Sequence, residues 1–147
     1  MNLTRRHLLD LNVLIALVDS AHQQYQKAQD WFIASGKFHW GICPLTEAGF
    51  LRVTTNPTYL PKPRTFAEAI AILQILKGHT DFWYCEIDKS WVELTAPFAV
   101  RINGHQQVTD AYLLGLAIKE NGVLVTFDRG IRYMAGAEFS RNVLLLE

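Results

Sequence analysis

The sequence predicts an α/β fold, a mainly parallel sheet of four to five strands covered by helices on both faces. Three observations predict it. Short apolar runs of strand length recur along the chain, at 8–9, 38–43, 82–85, 123–126 and 143–146. Between them lie segments whose apolar residues fall three and four apart, the spacing of a helix with one buried face. Gly, Pro or Asn-Gly marks most of the junctions. Such alternation favours parallel strands joined by crossover helices. A chain of 147 residues suits one domain, 1–147, and no repeat, low-complexity tract or linker divides it.

The elements follow in order. Leu8 and Leu9 end a short strand at Asp10, and residues 12–18 form a helix directly after it. Asp19 to His22 breaks that helix, and Ser20 is placed to cap a second over 22–35, with Tyr25, Ala28 and Phe32 on one face and Gly36 as its stop. Residues 38–43 form strand two, and Pro44 opens a helix that continues through 46–53. Residues 54–64 carry three prolines and no periodicity, so they form a surface loop. Thr65 caps a helix over 66–77 that Gly78 ends. Strand three spans 82–85. Residues 89–98 have helical spacing interrupted at Pro97, with Asp88 as the N-cap candidate. Residues 101–106 are a polar loop, 108–121 a helix, 123–126 a buried strand with its exit at Asp128 to Gly130, and 143–146 the last strand.

Half of the residues are apolar, 19% are charged, and the formal net charge is zero. That balance argues against a protein that holds nucleic acid by its overall field, but leaves room for acids in one site offset by bases around it. Cys43 and Cys85 each sit in an apolar stretch, without a CxxC partner, and read as buried small hydrophobes of a reducing compartment. No signal-peptide core and no membrane-length apolar run is present, so the expectation is a cytoplasmic protein with no membrane association.

In a parallel sheet, ligand sites form beyond the C-terminal ends of the strands. Asp10 ends strand one, Glu47 lies in the first turn after strand two, and Asp128 lies just past the strand 123–126. Asp110 starts the helix that returns antiparallel to that strand, so it belongs to the same edge. Four carboxylates in one crevice repel one another unless a cation or protonation compensates. Mg²⁺ or Mn²⁺ is the hard, oxygen-seeking ion that fits, and the reaction class that follows is metal-assisted phosphodiester hydrolysis. Taken singly, each acid is as well explained as a helix cap or first-turn residue.

The stretch Leu8-Leu-Asp-Leu-Asn-Val-Leu-Ile-Ala-Leu17 resembles the opening of PIN-domain proteins, most closely the VapC toxins of bacterial toxin–antitoxin pairs. The likeness continues through residues 43–53, 108–117 and 124–129, in family order. It implies a PIN-like three-layer α/β/α sandwich and a ribonuclease. It also implies Asp10, Glu47, Asp110 and Asp128 as the acidic set for Mg²⁺ or Mn²⁺. Asn12 and Thr126 match small polar positions of the family, and Arg52 is placed to pair with an acid or touch phosphate. The implied partners are an RNA substrate, a VapB-like antitoxin and a second copy of the chain.

Other polar residues have plainer explanations. Lys62 and Arg64 are candidates to hold RNA phosphate, set against a solvated loop, and His105 is a candidate substrate contact in the loop before Asp110. Asp19, Glu86 and Asp88 border turns and do not join the acidic set. His22 begins a surface helix, His7 and His39 flank strands, and His79 follows a helix stop. The aromatic groups 31–32 and 82–84 read as core or dimer surface. Two competing functions are a haloacid dehalogenase-like phosphohydrolase and a non-enzymatic protein-binding module. The first needs an aspartate where Asn12 stands and a suitably placed Lys. The second gives no reason for the acids.

Overall fold

The computed structural model describes residues 5–59, 62–78 and 81–147. His79, read above as a turn residue, and positions 60 and 61 of the proline loop lie outside the described residues. The strands are β1 (His7–Leu9), β2 (Trp40–Ile42), β3 (Phe82–Tyr84), β4 (Val123–Thr126) and β5 (Val143–Leu145). The helices are α1 (Leu11–Val18), α2 (Tyr25–Ala34), α3 (Pro44–Thr54), α4 (Phe66–Gly78), α5 (Trp91–Thr95), α6 (Val108–Lys119) and α7 (Arg129–Ala135). The strands make one sheet in the order β3-β2-β1-β4-β5, and every pairing is parallel. Strand order therefore reverses between β1 and β4, where Leu9 pairs with Val125.

Alternation along the strands builds two cores. Leu8, Cys43 and Leu124 face α5, α6 and α7, while Leu9, Ile42 and Val125 face α1 to α4. The central strands are buried on both faces, which explains why they read as plain apolar runs and not as alternating ones. Two glycines mark close approaches. A Cβ on Gly41 would lie 2.0 Å from the Trp83 carbonyl oxygen, so the β2–β3 pairing needs glycine there. A Cβ on Gly115 would lie 2.7 Å from Leu94, where α5 crosses α6. Both cysteines are buried and unpaired, and burial pushes the Cys85 thiol up to about 12.

Several local expectations are corrected. Ser20 caps nothing, and α2 begins only at Tyr25. Asp19 Oδ1 accepts the Ala21 N–H at 3.0 Å and His22 Nδ1 accepts the Gln24 N–H at 2.9 Å, so side chains hold residues 19–24 in turns. Asp88 does not cap α5; Ser90 does, while Asp88 pairs with Lys119 at 2.9 Å. The helix expected over 89–98 passes into a 3-10 stretch at Ala96–Arg101, where Pro97 stands. The chain after Asp128, expected only as an exit, forms α7. Thr65 does cap α4, and its N–H is returned to Glu68 Oε1 at 2.9 Å, a capping box. Among the described residues, no helix is long and apolar enough to cross a membrane.

Candidate active site

The reversal point of the sheet sets the first two carboxylates. Asp10 follows β1 and caps α1, and its Oδ1 accepts the Leu11 N–H at 2.7 Å. Its own N–H donates to the Val125 carbonyl at 3.0 Å, extending the β1–β4 ladder by one residue. Asp128 lies two residues past β4 and caps α7, accepting the Gly130 N–H on Oδ1 at 2.8 Å. The two are joined through Thr126. Its buried hydroxyl donates to Asp10 Oδ2 at 2.8 Å and accepts the Asp128 N–H at 3.0 Å.

Asp110 lies in the first turn of α6 and completes the group. Asp10, Asp110 and Asp128 line one cavity of about 250 Å³, with Asn12, Thr46 and Arg52 also in its walls. Among the described residues, no hydrogen bond or ion pair reaches the Asp110 carboxylate. Burial, and then the charges of Asp10 and Asp128, push its pKa up to about 7. Burial also raises Asp10, against the lowering effect of the Thr126 and Leu11 hydrogen bonds. Gly49 opens the wall, since a Cβ there would lie 2.8 Å from the Leu11 side chain.

The fourth acid stands apart. Glu47 is in the first turn of α3, but one residue past Thr46 the helix has turned it toward α4 and β3. Lys77 Nζ donates to its Oε2 at 2.8 Å and Tyr84 Oη to its Oε1 at 3.2 Å. The Lys77 ammonium also lies 5.4 Å from the Tyr84 ring centre and 5.2 Å from that of Phe82. Glu47 does not line the aspartate cavity. Sequence reasoning missed Lys77 and Tyr84. Tyr84 ends β3 on the functional edge, so attention to every strand exit would have found it. Lys77 carries no such signal.

The remaining candidates divide. Asn12, Arg52 and Thr126 belong to the site as described. Lys62 and Arg64 line a separate cavity with Ile15, Val18 and Val53. His105 is exposed in a 3-10 turn leading into α6 and does not line the aspartate cavity.

Among the described residues, no three His, Cys, Asp or Glu side chains close into a ready-made metal cluster. The donor chemistry nevertheless fits a hard divalent cation. The donors are all carboxylate oxygens, the acids raise one another's pKa, and among the described residues Asp110 has no hydrogen-bond or ion-pair partner. An ion held partly through water would relieve all of these at once.

The PIN-domain family model matches residues 7–137. The chain is 41% identical over 128 residues to Ribonuclease VapC38 of Mycobacterium tuberculosis, covering 87% of this chain and 89% of that protein. It is 39% identical over 133 residues to Ribonuclease VapC44 of the same organism, covering 88% and 91%. Its fold is similar to the crystal structure of VapBC2 from Rickettsia felis bound to a DNA fragment from their promoter. That match has a TM-score of 0.59 at 13% identity and spans 96% of this chain and 98% of that one. The chain belongs to the PIN-domain family, and within it to the VapC group.

Proposed function

We propose that the protein is a cytoplasmic divalent-metal-dependent endoribonuclease, the toxin of a VapBC-type pair, silenced by a VapB-like antitoxin and working as a homodimer. The observation that carries the catalytic reading is Asp110. It is a half-buried carboxylate without a hydrogen-bond or ion-pair partner among the described residues, pushed up to about 7 by burial and by the two aspartates that line the same cavity. Among the described residues it has neither the helix cap that Asp128 makes nor the ion pair that Glu47 makes. The relatives named as ribonucleases support the choice of RNA.

Asp10, Asp110 and Asp128 hold the ion. Mg²⁺ or Mn²⁺, when bound, polarises a phosphoryl oxygen and makes water a better nucleophile. Thr126 and the Leu11 amide fix Asp10, and the Gly130 amide fixes Asp128, so two of the three carboxylates are oriented before any ligand arrives. Arg52 supplies positive charge in the cavity wall for the scissile phosphate. Asn12 lies on the same wall, positioned to orient a carboxylate or water. Glu47 enters the reaction, positioning water, by exchanging Lys77 and Tyr84 for the site. Cleavage of a structured RNA, with and without chelator, tests the reading. Chelator should abolish it, and so should Asp110→Asn; activity that survives either treatment refutes it.

A further inference from the structure

Two cavities are cut between the same pair of helices. α1 gives Leu11 and Asn12 to the aspartate cavity and Ile15 and Val18 to the other; α3 gives Gly49 and Arg52 to the first and Val53 and Thr54 to the second. The two sets lie three to seven positions apart on α1, a rise of about 5–10 Å. Leu11, Ile15 and Val18 recur at four- and three-residue spacing on α1, and Gly49 and Val53 at four on α3, so the two cavities, the second of about 420 Å³, open along one α1–α3 groove.

Cations without an ion pair line this groove. Lys77, Lys89, Arg101, Lys119, Arg129 and Arg132 are all engaged in ion pairs. Arg52, Lys62 and Arg64 make none among the described residues, nor do Arg5, Arg6, Lys27, Lys37 and Arg141, but of these it is Arg52, Lys62 and Arg64 that line the two cavities. The Arg64 N–H donates to the Thr54 carbonyl at 2.9 Å, which fixes this end of the loop against α3. Asp19 also lines the cavity and Glu68 feels the charge of Arg64 from outside it, so the lining keeps one positive charge in excess. A protein of zero net charge has no general field to draw in a polyanion, and three aspartates at the reacting centre repel one. Unpaired cations beside those acids, over an apolar floor of Ile15, Val18 and Val53, suit phosphates and the face of an unstacked base.

We infer that the α1–α3 groove is a subsite for single-stranded RNA flanking the scissile phosphate, with Arg52, Lys62 and Arg64 on successive phosphates and a base against Ile15, Val18 and Val53. This rests on the ribonuclease reading above. The test measures binding of a fluorescent single-stranded RNA oligonucleotide to the cleavage-silenced Asp110→Asn protein across a salt series. Adding Lys62→Ala and Arg64→Ala should reduce the slope of log affinity against log salt by about 1.4, two contacts at about 0.7 each. The conservative pair Lys62→Arg and Arg64→Lys should restore it, at an unchanged melting temperature. An unchanged slope in the alanine protein overturns the inference, and so does failure of the conservative pair to restore it. If the alanine pair spares RNA binding yet weakens capture of an antitoxin peptide, the groove is a protein-docking site and the inference is wrong. Independently, cleavage that survives Asp110→Asn removes the metal-site reading, whereas an unchanged salt slope with cleavage still lost in Asp110→Asn removes the groove inference alone.

Discussion

Two neighbouring regions at the same sheet edge treat their acids in opposite ways. Around Glu47 the protein supplies everything a carboxylate needs, an ammonium on one oxygen and a phenol on the other. The charges that shift Asp110 are those of Asp10 and Asp128, both negative. Buried or half-buried carboxylates are normally paired. The first region is thus satisfied as it stands, and the second leaves a carboxylate without a hydrogen bond or ion pair among the described residues. The difference tells the two regions apart where position at a strand exit does not, because both regions pass that test.

The largest effect that sharpens the contrast is catalytic. Asp110→Asn should lower RNA cleavage by about 100-fold or more, since even outer partners of metal ligands cost about 10–100-fold. Lys77→Met, which disturbs only the satisfied region, should keep most of the activity. Comparable losses in the same assay would erase the distinction.

Metal binding comes next. Mn²⁺ at about 100 times its Kd should stabilise the protein by about 2.7 kcal/mol, or about 5–10 °C in melting temperature. Asp110→Asn should lose most of that rise, and Lys77→Met should keep it. A rise that survives Asp110→Asn would move the ion elsewhere.

The pH dependence without metal has a definite sign. The Asp110 carboxyl titrates near 7 when folded, against an ordinary value of 3.8. Protonation therefore relieves the folded state fully below about 3.8, and the relief is lost as pH rises through about 7. In chelator, the melting temperature should fall between pH 5 and 8, and Asp110→Asn should flatten that fall. A flat profile in the unsubstituted protein would contradict the burial assigned to Asp110.

The smallest effect belongs to the satisfied region. The Lys77–Glu47 pair is about one quarter exposed on each side, and such pairs contribute on the order of 0–1 kcal/mol. Lys77→Met should thus lower the melting temperature by about 0–4 °C. Thermal melts would detect a larger loss, which would mean that Lys77 bears on the α3–α4 packing as well.

Much of this was legible in the chain. Val123 to Thr126 is apolar on both faces and short, which admits little but a central parallel strand, and that strand leads to Asp128. Asp10 was legible for the same reason. The direction of Glu47 was not, because it depends on how α3 is rotated against α4 and β3, and that rotation is decided by packing between residues 30 and more positions apart. The start of α2 was misread because Asp19 and His22 bind backbone amides that a helix would otherwise have used. Helix α7 was missed because only seven residues, beginning Arg-Gly, carry it, too few for a clear period.

The Thr126 hydroxyl has one more consequence. It bridges two carboxylate positions that belong to different strands, so it can do so in only one alignment of β1 with β4. A slip of a single residue would present Val125 or Phe127 in its place, and invert every side chain of the strand. Asp10 would then lose its donor, and Asp128 its tie to the centre. Chains that fold out of alignment would be silent as nucleases. The same hydroxyl thus acts as a safety catch, arming the site only in a correctly folded molecule.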